Sequence, residues 1–125
     1  MKTRIVSSHE WRSFFRDFSR IHAGSLITMN VTGPRVGPKD EVVDQPLRGI
    51  SEEGDEIFIH VGDGSNHPHL GHRVQHVEAI QVLQTDQGAD AGVNIRSVDG
   101  THTIIRFRAP ALPEVLDPEV ESVVS

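Results

Sequence analysis

The chain has no cysteine and no tyrosine, a single tryptophan and two methionines. Without cysteine there is no disulfide, no thiolate metal ligand and no cysteine nucleophile. Aromatic residues are only 5% of the chain. Phe58 and Phe107 stand in core-like apolar stretches, so the exposed rings of a base-stacking platform are missing. No apolar run approaches the ~18 residues of a membrane-spanning helix. Met1 to Glu10 contains no apolar h-region, so no signal peptide is expected and the expected location is cytoplasmic. Catalytic patterns are equally scarce. There is no Gly-x-Ser-x-Gly elbow, and no Gly-Lys-Ser/Thr to cradle a phosphate. Asp63-Gly64-Ser65-Asn66 lacks the later glutamate of a calcium loop. The acidic pairs Glu52-Glu53 and Asp55-Glu56 read as a solvated turn. Enzymatic activity is not the expectation.

What is present suits one domain. Hydrophobic residues make up 36% of 125 positions, enough for one well-formed core. The net charge of −6 is uneven: residues 1–22 carry +3, residues 23–108 carry −5, and residues 109–125 carry −4 with no base among them. An acidic body repels phosphate backbones, so nucleic acid is a disfavoured partner except towards the N-terminus.

Ser8 to His22 is predicted to be a helix. Ser7 and Glu10 have capping-box spacing, and Val6 with Trp11 has that of a hydrophobic staple. Trp11, Phe14, Phe15, Phe18 and Ile21 recur at helical spacing as an apolar stripe, and Gly24 supplies a stop. Beyond it the apolar period falls to two. Strands are expected around Leu26–Val31, Glu41–Ile50 (with Pro46 marking an edge, bulge or break) and Glu56–Gly62. One long or two short strands are expected over His69–Thr85. Gly33 to Asp40 and Asp63 to His67 read as loops.

Val93–Ser97 and Thr101–Arg108 flank a hairpin turn at Asp99-Gly100. A two-residue turn would set Val93 opposite Arg106 and mix core with surface. A three-residue loop, Val98-Asp99-Gly100 with Gly100 left-handed, sets Val93 opposite Ile105 and Ile95 opposite Thr103, with Phe107 on the same face. A one-residue slip exchanges faces, so the second register is predicted. The expected fold is therefore α+β, mainly β: an N-terminal amphipathic helix followed by five or six antiparallel strands, forming a small bent sheet or an SH3/Sm-like barrel. The domain is expected to span residues 1–110. Residues 111–125 form an acidic, proline-containing tail, read as solvated in preference to docked. Asp117-Pro118 offers a helix start within it.

Two constellations are candidates for chemistry. His67, His69 and His72, with His76 following, bring imidazoles close together in sequence, and three of them plus water would suit Zn²⁺, Ni²⁺ or Cu²⁺. No Asp or Glu stands at a metalloenzyme spacing beside them, which favours a solvated loop that changes charge near pH 6. Arg12, Arg16 and Arg20 form an i, i+4, i+8 line beside the apolar stripe, suited to a phosphate, an acidic partner or the acidic tail. A solvated helix face looks the same. Arg106 and Arg108 are expected to face outward on the last strand.

The chain also resembles an uncharacterised family of small bacterial proteins catalogued as a domain of unknown function. The resemblance is carried by Lys2-Thr3-Arg4, Glu10-Trp11, Phe18-Ser19-Arg20, Pro46-Leu47-x-Gly49-Ile50, His69-Leu70-x-His72, Gln84-Thr85-x-x-Gly88-Ala89-Asp90, Asp99-Gly100-Thr101 and Arg106-Phe107-Arg108-x-Pro110-x-Leu112-Pro113-Glu114. It implies a bacterial source and no particular activity. His69 and His72 fall on matching positions; His67 and His76 do not. The leading expectation is a non-enzymatic β-rich module that binds a partner protein or its own copies through unpaired sheet edges. The alternatives are a histidine-dependent metal-binding protein and, by fold analogy with Sm-like barrels, a nucleic-acid binder.

Overall fold

A computed structural model describes residues 2–64 and 68–111. The elements in chain order are β1 (Lys2–Val6), a 3-10 turn (Ser8–Glu10), α1 (Trp11–His22), β2 (Leu26–Gly33), β3 (Val36–Glu53), β4 (Glu56–Val61), β5 (Leu70–Val74), β6 (Val77–Gln84), β7 (Asp90–Ser97) and β8 (His102–Ala111). All eight strands join one antiparallel sheet in the order β1-β6-β7-β8-β2-β3-β4-β5. Among the described residues β1 and β5 are its two edges and do not pair with each other. The sheet is therefore bent but not closed, which corrects the SH3/Sm-like barrel in favour of the bent sheet.

The bend lies in β3. Its first part pairs with β2 and its second with β4, with register shifts on both sides and a left-handed Asp44 (φ 49°) between them. Bulges of this kind sharpen a strand's twist and turn it from one ladder to the next. The inner faces of the two halves then line one core: Ile57, Ile59, Val61 and Val74 cluster with Ile80, Val93, Ile95 and Ile105. Pro46 sits at the bend, paired with Leu26, as a strand proline at a bulge should. The predicted loop Gly33 to Asp40 is instead a tight turn at Pro34-Arg35 followed by strand. Val36, Lys39 and Asp40 pair with β2 on one side only, so Pro38 is tolerated on a strand whose other side is open there.

The helix begins later than its capping pattern suggested. Ser7 makes no side-chain cap; Ser8–Glu10 is a 3-10 turn closed by Glu10 N–H donating to the Ser7 carbonyl at 2.8 Å. The staple does form in substance, with Val6 and Trp11 both buried and the Trp11 indole N–H donating to the Val6 carbonyl at 3.0 Å. The buried stripe is Trp11, Phe15, Phe18 and His22, while Phe14 and Ile21 are half-buried. That stripe packs chiefly on β3, where the Ser19 hydroxyl donates to the Ile50 carbonyl (3.0 Å) and accepts from the Ile50 N–H (2.8 Å). β1, a strand ahead of the helix, was not anticipated, because four of its five residues are exposed and show no apolar alternation.

The β7–β8 hairpin has the predicted register. Val93 faces Ile105, Ile95 faces Thr103, the Ser97 N–H donates to the Thr101 carbonyl at 2.9 Å, and Gly100 is left-handed at φ 91°. Among the described residues no helix is long and apolar enough to cross a membrane. Residues 112–125, with the expected tail and its Asp117-Pro118 helix start, lie outside the described residues, as does His67.

Candidate functional site

β5 is the edge strand with concave surroundings. His72, Arg73, Val74 and Gln75 line one side of a cleft of about 340 Å³, whose far side includes Val31 of β2, Ser97 of β7 and Thr103 of β8. Leu70, Gly71 and His72 line an adjoining pocket of about 180 Å³ floored by Met29, Val42 and Ile59. Successive strand residues point to opposite faces, so an unbroken run from Leu70 to Gln75 along a cleft means that the strand presents its edge to it. A wider cleft of about 790 Å³ at Gly33, Pro34 and Lys39 shares Val31, Asp99 and Thr101 with the first, so the three form one continuous depression. Its rims carry two exposed apolar side chains, Leu70 (52%) and Val98 (68%).

The walls grade from apolar to polar along this depression. Ser97 and Thr103 are buried at its inner end. The Asp99 carboxyl is held below its ordinary value by hydrogen bonds from Thr101, so the far rim carries a fixed negative charge. Arg73, in the cleft lining, bonds Glu56, and this exposed pair lowers the Glu56 pKa.

The predicted site residues are dispersed. His69 precedes β5, and its ring lies where a Cβ on the left-handed Gly64 (φ +82°) would fall. His72 lies in β5 opposite Ile59, half-buried in the cleft wall. His76 occupies a left-handed turn between β5 and β6, with Nδ1 3.5 Å from Asp55. Among the described residues no group of three histidine or carboxylate side chains converges on a metal position. Arg12 lies 3.6 Å from Glu52 and Arg16 lies 3.7 Å from Asp17, while Arg20 is exposed. Arg106 and Arg108 are exposed on β8.

The sequence reading missed a buried ionisable pair. His22, at 1% exposure, is enclosed by the rings of Phe18 and Phe107, with centroids at 4.6 and 4.5 Å. Its Nε2 lies 2.8 Å from Asp90 Oδ2, and Asp90 Oδ1 accepts from the Gln84 amide at 3.3 Å. Burial pushes the Asp90 carboxyl up, but the hydrogen bonds from His22 and Gln84 and the charges of His22 and Arg4 together hold it below its ordinary value. An ionised carboxylate only accepts, so Nε2 carries the proton, and Nδ1 is left buried without a partner. The one available signal was the helix period: positions 11, 15, 18 and 22 make the buried stripe, and it ends on His22 rather than Ile21. Nothing local marked Asp90, 68 residues away. Neither residue lines the β5 depression, and the pair ties the end of α1 to the start of β7.

A family of unknown function (DUF5335) matches residues 2–115 of the chain. No curated protein and no solved structure matches it.

Proposed function

Because the chain belongs to this family of unknown function, its activity has to be argued from its own surface, and we propose a non-enzymatic protein-binding module. The depression beside β5 takes an extended segment of a partner polypeptide, which adds to the sheet as a further strand. One observation carries this reading: the edge of β5, unpaired among the described residues, lines a continuous depression together with Gln75 just beyond it. Strand addition draws its affinity from main-chain hydrogen bonds and its selectivity from pockets for alternate side chains. Here one such pocket is floored by Met29, Val42 and Ile59, and the next is walled by Ser97 and Thr103. The edge also lacks the usual protection against pairing. Its one cation, Arg73, is engaged with Glu56, and it contains no lysine or proline.

The metal and nucleic-acid readings gain no comparable support. His69 and His72 occupy different surroundings, and Arg12 and Arg16 lie beside carboxylates. A phage-displayed library of random peptides is the direct probe. Enriched peptides should bind the wild-type protein and lose at least tenfold in affinity against Leu70→Asp/Val98→Asp, equivalent to about 1.4 kcal/mol. Both residues are exposed, so the variant should melt within about 0.5 kcal/mol of wild type. Absence of enrichment, or equal binding to the folded variant, would overturn the proposal.

A further inference from the structure

The irregularity between β3 and β4 creates a second surface feature. The ladder shifts register between the pairs Leu47–Val61 and Gly49–His60, so Arg48 and Gly49 of β3 both stand against the single His60 of β4. Such a bulge interrupts the alternation of faces and re-aims a side chain. Leu47 and Ile50 stay in the core, whereas Arg48 is turned outward beside His60, and both side chains are exposed. His60 alternates along β4 with the buried Ile59 and Val61, so it points away from the pocket that those two line.

Both cross-strand partners of His60 are glycines, Gly49 on β3 and Gly71 on β5. Apart from Arg48, only backbone flanks the imidazole in its row. A Cβ on Gly71 would lie 3.6 Å from His60 Nδ1, so the bare glycine leaves that side of the ring open. Arg48, Gly49 and His60 line a hollow of about 380 Å³. Neither Arg48 nor His60 forms an ion pair among the described residues. Arg12, Arg16, Lys39, Arg73 and Arg96, by contrast, each lie beside a carboxylate. Like charges directly across a ladder oppose each other. When the imidazole is charged, an anion seated between it and Arg48 turns that repulsion into attraction.

We propose that Arg48 and His60 form a binding site for a dianionic phosphate group, carried by a phosphomonoester whose remainder projects into solvent. The planar guanidinium of Arg48 offers two parallel N–H donors to two phosphate oxygens. The His60 ring donates an N–H to a third oxygen and, as imidazolium, adds a second positive charge. Gly49 and Gly71 keep the approach clear, because a side chain at either position would stand beside the ring that the anion must reach. The protein's net charge of −6 gives no general attraction for anions. Binding therefore depends on these short-range contacts and is confined to this hollow. The inference is independent of the β5 reading, since His60 points away from the pocket beneath that edge.

Titration of the full chain with phenyl phosphate at fixed pH and ionic strength, followed by amide and imidazole NMR resonances, tests the site. Saturable shifts should centre on Arg48, Gly49, His60 and Gly71. Arg48→Gln should weaken binding at least tenfold, the loss expected of a charged bidentate contact. Gly71→Val keeps both polar groups but sets a branched side chain against the His60 ring, and it should weaken binding comparably. Arg106→Gln removes an equal charge from the exposed surface of β8 and should bind as wild type does. The fluorescence of Trp11 in urea reports that each variant is folded. Arg48 is exposed, so Arg48→Gln decides the matter even where Gly71→Val fails to fold. Shifts that do not saturate, that phenol or chloride reproduces, or that survive Arg48→Gln unchanged would overturn the proposal. So would an equal loss in Arg106→Gln, since binding would then follow total charge.

Discussion

The buried pair of His22 and Asp90 makes a quantitative prediction whose sign depends on geometry. Replacing Asp90 with alanine removes the acceptor of an Nε2–H on a side chain only 1% exposed. Leaving such a donor unsatisfied costs about 1–3 kcal/mol. The bond from Gln84 is lost as well, but at 3.3 Å it is long and adds little. A total near 2–3 kcal/mol is expected. Replacing His22 with leucine does something different. It keeps an apolar side chain between Phe18 and Phe107 and removes the orphaned Nδ1. The lost ring contacts cost about 0.5–1.5 kcal/mol, while Asp90, with 16% of its side chain exposed and Gln84 still bonded, retains partners. In the double variant no buried donor is stranded. His22→Leu/Asp90→Ala should therefore be more stable than Asp90→Ala alone, an inversion that additive effects cannot produce when His22→Leu by itself destabilises. Urea denaturation followed by the fluorescence of Trp11, the single tryptophan and 6% exposed, measures all three. For a domain of this size each kcal/mol corresponds to roughly 3–5 °C in Tm. A double variant less stable than Asp90→Ala, or an Asp90→Ala cost below about 0.5 kcal/mol, would refute the assignment of the pair as a buried, charge-assisted hydrogen bond.

Further outcomes follow from the same structure. The folded Asp90 carboxyl lies below its ordinary 3.8, so its contribution is present above that value and is lost as pH falls through the lowered one. The stability gap between wild type and Asp90→Asn should accordingly be constant near neutrality and shrink below about pH 4; a gap that widens on acidification would contradict the direction of the shift. Gly92→Ala would set its Cβ 2.1 Å from the Ile105 carbonyl oxygen, a backbone atom that has no alternative position. It should cost upward of about 3 kcal/mol or prevent folding, whereas Gly37→Ala, with nothing within 4 Å, should be nearly neutral in the same urea assay. Any change of Tm on adding Zn²⁺ should be the same in wild type and in His69→Ala/His72→Ala, because these residues join no three-ligand group among the described residues. A Zn²⁺-dependent rise lost in that variant would restore the metal reading.

Local pattern made several elements legible. The β7–β8 register followed from Val93, Ile95, Ile105 and Phe107 alone, since only one loop length keeps them on one face. The helix followed from its aromatic spacing, although the 3-10 turn at Ser8–Glu10 displaced its cap. Where local signals failed, the cause was long-range. Val36 to Asp40 looked like a loop because glycine and proline punctuate it, yet pairing with β2 on one side alone is enough to hold it extended. β1 was invisible because an edge strand buries only Val6 and needs no apolar alternation. The β5 depression is built from β2, β3, β4, β5, β7 and β8, and no one of these segments carries a sign of it.

By itself the amino-acid order determined the amphipathic helix, the alternating strands, the hairpin register and the opposed charges of the two termini. Each of these depends on periodicity or spacing over a few residues. The tertiary structure alone decided that the sheet bends at Asp44 to Gly49 without closing, that β5 offers its edge to a depression, and that His22 meets Asp90. Those outcomes depend on which distant segments pack together. That choice rests on burial summed over the whole core, which no local window of sequence contains.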